Sequence, residues 1–172
     1  MENVERLKKG NERFVKSGTP QGDFSAKRRT NVANGQNPFA AILACADSRV
    51  IPEAIFDVGI GELFVVRCAG NVVGDTELAS LEYATHHLGV KTVVVLGHTG
   101  CGAIAAAIHG EFGGNIGVIT KRIKSIIGEE VDPYAATRYN SIGGAAYLRE
   151  KLSDVEIVSA VYDIKSGKVD FI

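Results

Sequence analysis

Short, continuous apolar runs alternate along this chain with stretches in which apolar residues recur every three or four positions. Phe39–Cys45, Leu63–Val66 and Thr92–Gly97 are runs of the first kind. Uninterrupted apolar strands suit a parallel sheet, because crossover helices cover both of its faces. Helical spacing appears in residues 2–16, where Val4, Leu7 and Phe14 share one face. It recurs in Leu78, Leu81, Thr85 and Leu88, with Asp75 as the expected N-cap and Gly89 as the stop. Ile116, Ile119, Ile123 and Ile126 mark a further helix before Gly128. Asp132-Pro133 is the cap-then-proline order of a helix start and opens one running to about Lys151. Glu156–Asp163, a Ser166-Gly167 turn and Val169–Ile172 read as a terminal hairpin. The predicted fold is α/β: a central, mostly parallel β-sheet with an antiparallel edge strand, flanked by helices. Residues 17–37 are polar and lack core-forming periodicity. Residues 1–37 are therefore expected to form an N-terminal helical arm, of a kind that lies on a partner surface, ahead of a 38–172 α/β core.

Length and composition narrow the picture without adding elements. At 172 residues the chain is expected to be one domain, and 45% hydrophobic with 23% charged residues is ordinary for a globular protein. Nineteen Lys plus Arg (19) against 20 Asp plus Glu leave a net charge of −1, which gives no electrostatic case for a nucleic-acid or membrane-surface partner. The longest apolar runs are about six residues, far short of a membrane span. The N-terminus has no basic stretch followed by an apolar one. With three cysteines, an odd number, complete internal pairing is impossible. Reduced thiols and a cytoplasmic location are the resulting expectation.

Candidate chemistry gathers where strands end, which is where open α/β sheets hold ligands. The first apolar run closes on Cys45-Ala46-Asp47-Ser48-Arg49, and the third closes on Gly97-His98-Thr99-Gly100-Cys101-Gly102. Two thiols and an imidazole make a plausible tetrahedral zinc set, with Asp47 either a fourth ligand or a neighbour. A helix beginning after Cys101 places its partial positive charge beside that thiol. Arg49 can hold Asp47 in a bidentate fork, which keeps a coordination position free for water. A nucleotide-binding reading fails at the first turn, which has Cys-Ala-Asp-Ser-Arg in place of a glycine fingerprint. Cys68 reads as a packed small side chain, His86 and His87 as surface residues late in a helix, and His109 as a helix end.

Cys45-x-Asp47-x-Arg49 with His98-x-x-Cys101 resembles the signature of the β-class carbonic anhydrases. Gly61–Arg67, Ala69-Gly70-Asn71, Leu81–Ala84 and the closing Val161–Val169 segment are similar to that family as well. The resemblance implies one Zn²⁺ per chain on Cys45, His98 and Cys101, and a catalytic dyad of Asp47 and Arg49. It implies reversible hydration of CO₂ to bicarbonate and a proton, by attack of zinc-bound hydroxide. Gln36, Phe64 and Tyr83 occupy the places of a plant-like substrate pocket, and the Gly102 amide is an expected contact for the anionic product. The family's open form, with Asp47 on Arg49 and off the metal, is expected here. So is a homodimer or higher homo-oligomer whose N-terminal arms embrace the neighbour and whose site lies at the interface. Ala46 and Cys68 depart from the family's common Ser and Asn, and with no Trp in the chain a tryptophan-lined regulatory site is absent. Two alternatives use the same residues: a non-catalytic zinc- or bicarbonate-binding module, and a hydrolase of a CO₂-like molecule such as CS₂.

Overall fold

The computed structural model describes residues 1–172. Five strands form one sheet: β1 (Ala40–Ala44), β2 (Leu63–Arg67), β3 (Thr92–His98), β4 (Glu156–Tyr162) and β5 (Val169–Phe171). Their order is β2-β1-β3-β4-β5. Every pair is parallel except β4 with β5, which is the expected hairpin at the edge. Every residue of β1 and β3 is buried. This is the physical origin of their unbroken apolar runs. Because side chains alternate across a strand, Ile42, Val94 and Leu96 pack on one face with Leu7, Ile55 and Phe56. Ala41, Leu43, Val93 and Val95 pack on the other with Leu81, Ala145 and Leu148.

Helices cover both faces. The long ones are α1 (Glu2–Ser17), α6 (Gly117–Ile127) and α7 (Pro133–Lys151). The short ones are α2 (Ala26–Asn31), α3 (Pro52–Ile55), α4 (Asp75–Glu82) and α5 (Gly102–Ile108). As expected, Asp132 caps α7, accepting the Ala135 N–H at 2.7 Å, and Pro133 follows it. Asp75 corrects an expectation: it is the first helical residue, and the cap is Gly74. The Gly74 N–H donates to Glu77 Oε2 at 2.9 Å, so the carboxylate three positions into the helix satisfies the end. Beyond Glu82 the helix widens into a π turn over Tyr83–His87. The short α3 and a 3₁₀ turn at Ala69–Asn71 carry too few residues to show a period.

The N-terminal segment is tied to its own core by specific groups. Leu7 is fully buried. The buried Asn11 amide donates to Ile55 O at 3.0 Å and Gly167 O at 2.8 Å, and its oxygen accepts the Val169 N–H at 2.9 Å. Gly10 has to be glycine because a Cβ there would lie 1.9 Å from the Phe56 carbonyl oxygen. Farther on, the buried Asp57 carboxylate accepts Arg13 Nε at 2.7 Å and the Gln21 N–H at 2.5 Å. By contrast, α2 has no buried residue.

Candidate metal centre

Adjacent parallel strands deliver the two sequence clusters to one place. Cys45 follows β1, His98 is the last residue of the neighbouring β3, and Cys101 is the N-cap of α5. Gly100, at φ +68°, makes the left-handed turn that brings Cys101 back toward His98. The two Cys sulfurs and a His98 ring nitrogen lie within 4.8 Å of one another, with Sγ to Sγ at 4.0 Å. All three side chains are buried.

The donors are prepared for a cation. His98 Nδ1 lies 3.0 Å from the Thr99 carbonyl oxygen. A carbonyl only accepts, so Nδ1 carries the proton and Nε2 presents its lone pair. That Nε2 is buried and has no hydrogen-bond partner in the protein. The Cys45 thiol is pulled down, first by the hydrogen bond it shares with Cys101, then against burial by the His98 ring. Cys101 is pushed up by that same bond and by burial. The two thiols titrate as one coupled pair that gives up its first proton readily and its second with difficulty. The Gly70 N–H adds a 3.2 Å hydrogen bond to Cys45 Sγ. A buried imidazole with a free lone pair beside two buried, hydrogen-bonded thiols fits a soft-to-borderline metal ion.

Beside these donors stands the dyad. Arg49 Nε and its second guanidinium nitrogen donate to the two Asp47 oxygens at 2.9 and 2.6 Å, and the Arg49 N–H donates to Oδ1 at 2.9 Å. The Arg49 fork and backbone N–H hold the Asp47 carboxyl far below the usual carboxylate range. Asp47 Oδ2 remains 3.9 Å from His98 Nε2, at the edge of the donor set. Gly102 is the first residue of α5, beside Cys101. One contributor was not read from sequence: Arg67 donates to the Cys45 carbonyl at 3.1 Å and the Asp47 carbonyl at 2.6 Å, fixing the backbone between ligand and dyad. Its place at the end of β2 was the available signal.

Gln36, Phe64 and Tyr83 come together elsewhere. Phe64 and Tyr83 have ring centroids 6.2 Å apart, and Tyr83 stacks on His87 at 5.2 Å. Gln36 and Tyr83 border one open cavity of about 470 Å³. Phe64 pairs with Ala41, four residues upstream of Cys45 on β1. That is about 13 Å along the strand direction. Within one chain these three side chains do not line the metal centre.

A family profile described as carbonic anhydrase matches residues 40–141, which include every donor and both dyad residues. The chain belongs to the β-class carbonic anhydrase family. Over 103 residues it is 53% identical to carbonic anhydrase 2 of Mycobacterium tuberculosis, covering 59% of this chain and 49% of that protein. It thus spans about half the length of the curated relatives it matches. Among solved structures, the β-carbonic anhydrase CafA of Aspergillus fumigatus superposes with a TM-score of 0.75 at 25% identity, covering 85% of this chain and 80% of that one. One of two tetrameric β-carbonic anhydrases from Sordaria macrospora gives 0.71 at 26%, covering 83% and 84%. No helix of the chain is long and apolar enough to cross a membrane.

Proposed function

We propose that this protein is a zinc-dependent carbonic anhydrase that interconverts CO₂ and water with bicarbonate and a proton. The observation that carries the reading is the buried set of Cys45, His98 and Cys101 with an unpartnered His98 Nε2, beside an Asp47 held off it by Arg49. Two thiolates and one imidazole suit Zn²⁺ and leave a fourth position for water. Zinc, when bound, supplies a Lewis acid that lowers the pKa of a ligated water toward neutrality.

The chain's own groups do the rest. Asp47, kept ionised by Arg49 and 3.9 Å from His98 Nε2, would accept a hydrogen bond from a water beside the donor set and orient it. Its depressed pKa makes it a poor resting place for a proton, so the proton passes on to buffer. Arg49, which also donates to the Gly100 carbonyl at 3.2 Å, keeps Asp47 beside the donor set. The Gly102 N–H, at the start of α5, is a donor for bicarbonate oxygen. Gln36 supplies a further donor, and Phe64 and Tyr83 supply apolar wall.

Because those last three lie away from the donors of their own chain, we assign them to the site of a second copy. The homodimer, or a higher homo-oligomer built from it, is then the active unit. Tetrameric relatives of the same fold support this assignment. The chain reads as one domain, residues 1–172, with 1–37 as the arm and 38–172 as the core. Three free cysteines suit a reducing compartment, and we assign the protein to the cytoplasm. Stopped-flow CO₂ hydration on zinc-loaded and zinc-stripped protein tests the activity. The reading requires turnover that tracks zinc content up to one ion per chain; zinc uptake without turnover would leave a binding module.

A further inference from the structure

Between the metal donors and α7 lies a turn that no donor or dyad residue belongs to. It runs through Cys68–Asn71, and two successive residues adopt left-handed backbone, Gly70 at φ +69° and Asn71 at φ +43°. Gly70 is confined as well as twisted, since a Cβ there would stand 2.7 Å from Ile123 Cδ1 and 3.1 Å from Ala103 Cβ. The peptide faces two ways. Its N–H points at Cys45 Sγ, 3.2 Å away, and the Gly70 carbonyl accepts Asn140 Nδ2 from α7 at 2.8 Å. Asn140 is 2% exposed, and its Oδ1 has no partner. This buried amide therefore has one hydrogen bond, and that bond goes to the turn.

We propose that Asn140 is a positioning residue for the metal centre, acting through Gly70 on the Cys45 thiolate. A sulfur that accepts an N–H hydrogen bond holds part of its charge on that donor, which tunes the metal–sulfur bond. Left-handed backbone at a non-glycine such as Asn71 persists only where its surroundings enforce it. The Asn140 amide holds the turn from α7, together with the Asn71 N–H that donates to the Cys68 carbonyl at 2.9 Å. Without it the turn relaxes, and the Gly70 N–H leaves the sulfur. The inference rests on Cys45 being a metal ligand, as proposed above.

The test loads wild type, Asn140→Leu and Asn140→Ala with Zn²⁺ in a chelator competition and with Co²⁺ for absorption spectroscopy. Asn140→Leu keeps the approximate shape of the side chain and removes its donor without adding a charge. Thr137→Val, on the same buried face of α7, serves as a control for general loosening of that helix. Both Asn140 variants are expected to weaken zinc binding by about 10-fold or more, the scale for groups that orient ligands. They are also expected to shift the thiolate-to-cobalt charge-transfer band. Thr137→Val is expected to lower Tm without moving the band. Unchanged affinity and spectrum in folded Asn140→Leu would overturn the proposal, as would an equal band shift in Thr137→Val. A wild type that takes up neither metal would overturn the zinc reading itself.

Discussion

The carboxyl end of the β1–β3 pair and the outer edge around β2 both hold expected site residues but treat them oppositely. At the first, Cys45, Asp47, Arg49, His98, Cys101 and Gly102 converge within one chain, locked by bidentate and backbone hydrogen bonds. At the second, Gln36, Phe64 and Tyr83 meet one another but not the donors. Phe64 is only half-buried, and Tyr83 remains 47% exposed. A metal centre can be completed by two neighbouring strands. On the function proposed above, the pocket wall on the sheet's far edge serves the metal centre of a second molecule.

The sharpest way to separate the two regions is to damage each. Cys101→Ser removes a donor from a three-residue set, and zinc content and hydration should both fall by about 100-fold or more. Gln36→Ala should retain zinc at wild-type content while kcat/KM falls by roughly 10-fold, the worth of one hydrogen bond to a charged group. Zinc lost from Gln36→Ala would dissolve the distinction. Arg49→Ala probes the boundary between them. With its clamp gone, Asp47 is free to move onto the metal, and activity should drop by about 10-fold or more with zinc retained. A crystal structure of that variant with Asp47 still off the zinc would contradict this role.

The smallest effect concerns the clasp that orients the arm. Burial pushes the Asp57 carboxyl up, but the Gln21 N–H and the Arg13 guanidinium outweigh it, and its pKa lies below the ordinary carboxylate value. Stability from such a group is present above the unfolded pKa and is lost as pH falls through the folded one. Asp57→Asn should therefore cost about 2 kcal/mol at pH 7, with the gap to wild type closing below about pH 4. Denaturant titrations at both pH values measure it; a gap independent of pH would assign the loss to shape instead of charge.

How much of this was legible depends on what kind of force placed each residue. Strand runs and their parallel order follow from burial on both faces, which writes itself into sequence as unbroken Val, Ile, Leu and Ala. Cys45, His98 and Cys101 stand at the ends of such runs, so topology alone brings them near each other. The Asp132-Pro133 start was equally plain. The Gly74 cap was not, because its satisfaction comes from Glu77 three residues on. The π turn at Tyr83 and the left-handed pair at Gly70 and Asn71 are set by tertiary contacts with no local period. Arg67 and Asn140 were missed for a related reason: each acts through backbone carbonyls, and a carbonyl has no residue type to recognise.

The claim that one chain holds two halves of a site, completed across copies, is tested most directly by mixing. Cys101→Ser lacks a donor and Gln36→Ala lacks a pocket donor, so each alone is impaired. After co-refolding in equal amounts, half of the dimers are hybrids, and one of the two sites in each hybrid combines an intact metal centre with an intact pocket. Stopped-flow CO₂ hydration should then recover about a quarter of wild-type activity, well above the average of the two variants measured separately. Activity equal to that average would contradict the account and return Gln36 to the chain that bears it.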